Sequence, residues 1–193
     1  MIVFIIGSGR CGTNMVGELL ASNKEWNVDI EQQPQFGLGT QLATQVWNPH
    51  TFHDLISIYK EKSSQYQNYA DKTHPNLWIA EELQEIFPEA KFIYCKRNVT
   101  DVVKSMEKHH GVNTWYDKPD NPQLRRFLGK GIAELDKYAK RLLAHDMEYD
   151  RIKDRINSHV FDYDAAQQDP AKEVRKLENY LGYLFNHNII KKK

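Results

Sequence analysis

Cysteine is nearly missing from this chain: Cys11 and Cys95 are the two in 193 residues. Two thiols do not build the multi-bridge framework of small secreted domains, so a disulfide scaffold is not expected and a cytoplasmic setting is. Net charge is missing as well. The 26 Lys and Arg are balanced by 26 Asp and Glu, so no overall field draws the chain to nucleic acid or an anionic membrane. Long apolar runs are also absent. Ile2–Ile6 is too short for a membrane span or a signal core, and no basic segment precedes it, so neither leader nor anchor is expected. No self-similarity recurs at the roughly 20–50-residue periods of solenoids, which excludes repeat architectures. The expectation is one soluble domain over 1–193, with Lys191–Lys193 a disordered tail.

The most informative stretch that is present is VFIIGSGRCGTN, residues 3–14. Val3–Ile6 suit a buried strand, and Gly7, Gly9 and Gly12 permit a tight turn. Met15, Val16, Leu19 and Leu20 then follow a helical spacing. A strand, a glycine turn and a helix start together aim backbone N–H groups at an anion. A nucleotide-hydrolysing loop of the form GxxxxGK[ST] needs its Lys for phosphates and its Ser or Thr for magnesium. Here Gly7 and Gly12 keep the separation, but Thr13 and Asn14 occupy those two places. The positive charge lies inside the loop instead, at Arg10. The pattern therefore points to a phosphate ligand without a magnesium-bound triphosphate. A Cys-x5-Arg phosphatase loop is excluded, because Gly17 stands six residues after Cys11.

Along the chain the patterning predicts strands at 2–6, near 28–31, at 68–71, 91–95 and 159–163. Helices are predicted over 13–22, 50–63, 76–86, 99–108, roughly 123–145 and 170–181, the last stopped by Gly182. Residues 32–48 read as a polar loop, and 109–122 as a second loop with the character of a lid. Leu124, Leu128, Ile132, Leu135, Tyr138 and Leu142 form the apolar face of the long helix. Alternating strands and helices predict an α/β fold, a P-loop-like three-layer α/β/α sandwich around a central parallel sheet. Ligands in such sheets sit at the carboxyl ends of the strands.

A second group of residues falls at such an end. The strand KFIYC runs into Lys96-Arg97-Asn98, and Asn98 is the expected cap of the next helix, with Asp101 in a capping-box-like position. Arg97 has the planar fork that suits a phosphate, and Ser105 adds a neutral donor two turns on. The bland alternative is an Arg at the sheet edge and a Ser facing water.

Taken together, GSGRCGTN followed by RNVTDVVKS resembles the sulfotransferase family that uses 3′-phosphoadenosine 5′-phosphosulfate (PAPS). That family carries a loop of the form G-x-[RK]-[ST]-G-T-[ST] and a later motif resembling R-D-P-R-D-V-x-x-S. Arg97, Asp101, Val102 and Ser105 match the second motif in spacing. FDYDAAQQDPAKEVRKLENYLG (161–182) resembles the family's ending. The resemblance implies a metal-independent, in-line transfer of a sulfuryl group from PAPS, leaving PAP. The acceptor would be a hydroxyl of a sugar, lipid or small molecule; no nucleic-acid partner and no metal are implied, and the oligomeric state is open.

By the same resemblance Gly7, Ser8, Gly9, Arg10, Cys11, Gly12, Thr13 and Asn14 form the 5′-phosphate loop. Arg10 would meet the leaving group, and Arg97 with Ser105 would read the 3′-phosphate. Lys72-Thr73-His74-Pro75 resembles the K-T-H-L-P segment of cytosolic members, making His74 the candidate base, with Lys72 assisting on the sulfuryl group. Glu31, just after the second strand, is the competing base, and Asp29 a weaker one; the alternatives stay open here. Three departures stand out. Cys11 replaces a Ser or Thr, Met15 replaces an adenine-stacking Trp, and the glycine-rich basic segment after the last strand is absent. Arg125, Arg126 and Lys130 are candidate substitutes for that segment. Trp47, Phe52, Trp115 and Tyr116 are candidates for an acceptor pocket, Trp115 foremost. Two other functions compete: a P-loop kinase or nucleotide phosphotransferase, and a non-catalytic module that binds PAPS or PAP.

Overall fold

The structure, a computed structural model, describes residues 1–109 and 136–190. The apolar segments become strands β1 (Ile2–Gly7), β2 (Trp26–Ile30), β3 (Asn68–Lys72), β4 (Lys91–Lys96) and β5 (Ser158–Asp162). They make an all-parallel sheet in the order β2-β3-β1-β4-β5. β1 is central, and its side chains divide between two cores. Val3 and Ile5 join one, while Ile2, Phe4 and Ile6 join the other. A strand buried on both faces needs a continuous apolar run rather than an alternating one, which explains IVFII.

Helices cover both faces. The first core takes Val16, Leu19 and Leu20 from α1 (Thr13–Ala21) and Val102 and Met106 from α5 (Val99–Glu107). Val174, Leu177 and Leu181 of α8 (Pro170–Leu181) complete that side. The second core takes Leu42 of α2 (Gln35–Thr44) and Leu55, Ile56 and Tyr59 of α3 (Pro49–Gln65). It also takes Leu77 from a 3-10 turn, His74–Ile79, and Leu83 from α4 (Ala80–Ile86). α6 (Lys137–Ile152) reaches both cores, through Tyr138 and Leu142 on one side and Tyr149 and Ile152 on the other. The expected three-layer α/β/α architecture with a parallel sheet is what forms.

Several expectations are corrected. The segment 32–48 is not all loop, since α2 occupies 35–44. Its only weakly segregated apolar residues, Phe36, Leu38 and Leu42, hid the helix. The second strand begins at Trp26, whose ring packs edge-on to Tyr183 at 5.3 Å. The long helix does not end at 145 but continues to Ile152, because Tyr149 and Ile152 find a second core. A short helix, α7 (Tyr163–Gln168), follows β5 directly. Asn98 does cap α5, accepting from Thr100 and Asp101 N–H at 2.9 and 3.4 Å. The reciprocal bond is not made by Asp101, however: the Asn98 N–H goes to Asp164 at 2.5 Å. Of the lid expected over 109–122 all but His109 lies outside the described residues, as do the helix start over 123–135, the tail 191–193 and Trp115, Tyr116, Arg125, Arg126 and Lys130.

Candidate functional site

Each strand delivers something to the same place at its carboxyl end. β1 runs into the glycine loop, β2 into Glu31, β3 ends in Lys72, β4 runs into Arg97 and β5 into Tyr163. All five contributions line a cleft of about 950 Å³. The sheet order explains the location. From β1 the chain goes to β2 and back to β3 on one side of β1, then crosses to β4 on the other, and a crevice opens at that reversal.

The loop turns through two left-handed residues, Arg10 at φ 73° and Gly12 at φ 94°. Gly12 also precedes α1 directly and has no side-chain cap, so the first N–H groups of that helix have no partner from a cap. A β-carbon there would come 2.5 Å from Tyr163 Cδ2. The glycine thus serves both a backbone angle and a close approach. Gly9, Arg10, Gly12, Thr13 and Asn14 line the cleft. Gly7, Ser8 and Cys11 do not: all three are buried, and Cys11 packs into the first core. Burial pushes the Cys11 thiol up to about 12, with Asp146 adding to the effect. Both cysteines are free thiols. Met15 also packs against the first core.

On one side of the loop stands the Arg97 group. Arg10 Nε donates to Ser105 Oγ at 3.0 Å, and Arg97 Nη1 donates to the Arg10 carbonyl at 3.2 Å. The Arg97 guanidinium lies 4.5 Å from the centre of the Tyr163 ring, which supports it from below. Asp101, Lys104 and Ser105 of α5, with Lys108 just past its end, border the cleft. Tyr163 was not singled out in the sequence, though its position right after the last strand was a usable signal.

On the other side stand Glu31, Lys72 and His74. Glu31 continues the β2–β3 ladder, its N–H donating to the Lys72 carbonyl at 3.1 Å. It holds a left-handed φ of 50°, a conformation that side chains adopt at a cost and mostly at functional sites. Its Oε1 accepts from Lys72 Nζ and lies 3.3 Å from His74 Nδ1. Among the described residues Oε2 takes no hydrogen bond. The bonds from His74 and Lys72 outweigh burial and hold the Glu31 carboxyl down at about 2. Burial pushes His74 down to about 4, helped by the nearby charges of Lys72 and Arg141. Burial also lowers Lys72. Near neutral pH the group is therefore a carboxylate, an ammonium and a neutral imidazole. The geometry fixes the tautomer: Nδ1–H faces Glu31, and Nε2 faces Arg141 Nη2 at 3.4 Å.

Thus the rival bases Glu31 and His74 touch each other. Asp29 is turned away, accepting from Gln35 at 3.0 Å and Tyr69 at 2.9 Å beside Lys62 at 3.2 Å. Trp47 and Phe52 pack against each other, tilted, at 4.9 Å but do not line the cleft. The aromatic that does is Phe36, 5.6 Å from the His74 ring, with Thr40 and Thr44 on the same face of α2. Neither Phe36 nor Arg141 was anticipated, since each comes from a helix that folds over the sheet rather than from a strand end.

Similar architectures occur among solved structures. A sulfotransferase from Alicyclobacillus acidocaldarius superposes with a TM-score of 0.62 at 13% identity, covering 99% of this chain and 85% of that one. A mouse sulfotransferase complexed with PAP gives 0.54 at 17% identity, over 96% of this chain and 60% of that one. A deoxyadenosine kinase from M. mycoides gives 0.50 at 11% identity, over 95% of this chain and 100% of that one. At these identities the likeness is one of fold, and the fold hosts both kinds of transferase. No curated protein sequence matches significantly. The sequence itself is more discriminating: the model of the Sulfotransferase family matches residues 3–187. That match runs from β1 past α8, and the chain belongs to the sulfotransferase family.

Proposed function

We propose that the chain is a PAPS-dependent sulfotransferase acting on a hydroxyl acceptor. The observation that carries this reading is the arrangement of the cleft. An anion loop lies in the middle, Arg97 and Ser105 lie on one side, and a carboxylate–ammonium–imidazole group lies on the other. Such a cleft suits a ligand with phosphate at both ends of its ribose, its reactive end toward Glu31. The left-handed Gly12 and the Tyr163 ring beside it form a cradle that a β-carbon would fill. Bound there, PAPS would supply the activated sulfuryl group.

The chain's own residues have separable tasks in this reading. The loop N–H groups and Thr13 hold the 5′-phosphate. Arg97 and Ser105 hold the 3′-phosphate, which ATP lacks. Arg10 neutralises charge beside the loop, although its side chain rests on Ser105 in this structure. Glu31 is the group that takes the acceptor's proton: Oε1 is held by Lys72 and lies 3.3 Å from His74 Nδ1, while the residue lines the cleft. His74 has the higher pKa of the two, about 4 against about 2, but its Nε2 faces the Arg141 guanidinium rather than the open cleft. Its task is to orient Glu31.

Calorimetric titration with PAP and with magnesium ATP tests the reading. Micromolar, magnesium-independent PAP binding is expected, weakened by Arg97→Ala. Magnesium-dependent ATP binding that ignores Arg97 would favour the kinase alternative and sink this one. For the base, Glu31→Gln should lower turnover by about 10²- to 10⁴-fold at unchanged PAP affinity. A larger loss in His74→Ala than in Glu31→Gln would transfer the role to His74. PAP binding with no turnover over a broad acceptor panel would leave a binding module.

A further inference from the structure

The side of α2 turned to the cleft is a single stripe. Phe36, Thr40 and Thr44, each four residues from the last, line the cleft, with Pro75 beside His74. The stripe runs about 12 Å at the α-helical rise. Its hydroxyls are spent inward. Thr44 Oγ1 donates to the Thr40 carbonyl at 2.7 Å, and Thr40 Oγ1 is buried with no partner among the described residues. A ring and aliphatic carbon are left to meet a ligand. The wall is also fixed in place. Gln35 Nε2 donates to Asp29 at 3.0 Å, Leu42 sits in the second core, and Gly39 lets the helix lie against Thr73.

Charge is missing from this whole segment. The chain is 27% charged, yet residues 32–53 contain no Asp, Glu, Lys or Arg. Burial does not account for it: Gln32, Gln33, Gln41 and Gln45 are exposed, at positions of the kind charged side chains ordinarily occupy. The charged groups of this half of the site, Glu31, Lys72 and Arg141, gather at the reacting end. Past Thr44 the chain leaves the cleft with Val46 86% and Trp47 47% exposed, the Trp47 ring 4.9 Å from that of Phe52. Uncharged, largely apolar surface therefore continues from Phe36, beside His74, to the outside of the molecule.

We propose that the acceptor is an uncharged amphiphile, an alcohol with its hydroxyl at Glu31 and its apolar body along α2 toward Trp47. This assignment rests on the sulfuryl-transfer reading above. An apolar body loses water against the wall and gains contact, whereas a carboxylate or sulfate on it would lose water and gain no partner. In the balanced step the acceptor oxygen bonds to sulfur as the bridging sulfur–oxygen bond breaks. The electron pair of that bond stays on the 5′-phosphate oxygen, and the acceptor proton goes to Glu31. The product is an apolar chain with an anionic head.

Initial rates with PAPS over 1-butanol, 1-hexanol, 1-decanol, 6-hydroxyhexanoate and glucose are the test, with calorimetry for PAP and PAPS. From butanol to hexanol kcat/KM should rise about 2- to 4-fold per methylene. The value for 6-hydroxyhexanoate should lie at least about 10-fold below that for hexanol. Trp47→Ala, a change at an exposed position, should lower the decanol-over-butanol ratio about 3- to 10-fold. Rates that do not rise with chain length, or glucose or 6-hydroxyhexanoate used as well as hexanol, overturn the acceptor class and leave sulfuryl transfer standing. An unchanged ratio in Trp47→Ala overturns the path past Thr44, as does a dimer in light scattering that the same substitution dissolves. PAP binding without turnover of any of the alcohols overturns the acceptor class. Binding of neither PAP nor PAPS overturns the sulfuryl-transfer reading with it.

Discussion

Arg10 in the glycine loop donates from Nε to Ser105 Oγ on α5 at 3.0 Å, across 95 residues of sequence. The loop's own cation and the helix's hydroxyl thus occupy one locus, and Arg97 closes it by bonding the Arg10 carbonyl. Ser105 has two tasks under the proposed function, holding Arg10 and donating to the 3′-phosphate. Ser105→Ala should weaken PAP binding by about 3- to 10-fold, the worth of one neutral hydrogen bond. Titration calorimetry reads this directly. Unaltered PAP affinity would confine Ser105 to holding Arg10.

Gly12 is constrained twice, by its φ of 94° and by Tyr163 Cδ2 at 2.5 Å from any β-carbon. Gly12→Ala should cost roughly 1–3 kcal/mol from backbone strain, with the clash added to it. Urea unfolding measures the sum. In a Gly12→Ala, Tyr163→Ala double variant the clash disappears but the strain does not, so the second substitution should cost less than it does in wild type. Simple additivity would show that Tyr163 yields freely.

The residues legible in the sequence are those at strand ends. Arg97 and the loop follow short apolar runs, and Lys72 and Glu31 stand at the ends of the two mixed strands NYADK and WNVDI; a parallel sheet brings such ends together whatever lies between them. Arg141 carried no comparable sign. It stands beside Tyr138 and Leu142 on a helix, but an Arg next to an apolar stripe is ordinarily solvated. Only the docking of α6 over β1 and the 3-10 turn turns it inward. Phe36 was hidden for another reason. Residues 32–48 read as a polar loop, whereas Gly39 stands in a helix at a point where a β-carbon would lie 2.7 Å from Thr73 Cγ2. Close packing of α2, not a turn, is what the glycine serves.

Phe36 faces the cleft beside His74, away from Arg97 and Ser105. Under the proposed function it borders the acceptor rather than the nucleotide. Phe36→Ala should raise the acceptor KM while leaving PAP affinity within about 2-fold, since no nucleotide-binding group is touched. Steady-state kinetics with calorimetry separates the two. A matching loss of PAP affinity would show that Phe36 supports the loop side instead.

Beneath the Glu31 group, Asp71 is fully buried, and its Oδ1 accepts from Tyr59 at 2.9 Å and from Asn76 at 3.1 Å. Burial pushes its carboxyl up to about 7, and Asp29 adds to the rise against the bonds from Thr73 and Tyr59. The unfolded chain releases this proton near the ordinary aspartate value of 3.8, whereas the folded chain keeps it to about 7. Between those values the folded state binds more protons, so its stability falls as pH rises, by up to a few kcal/mol. His74 acts in the opposite sense. Its folded value of about 4 lies below the usual 6.5, so stability rises with pH across that interval. The two slopes oppose each other up to about pH 6.5, and Asp71 alone acts above it. Asp71→Asn should remove the downward part, leaving a variant whose stability does not decline from pH 6.5 to 8 as wild type's does. Urea unfolding across that range is the measurement. Parallel pH profiles for the two proteins would mean that Asp71 is ionised in the fold throughout, stabilised there by Tyr59 and Asn76.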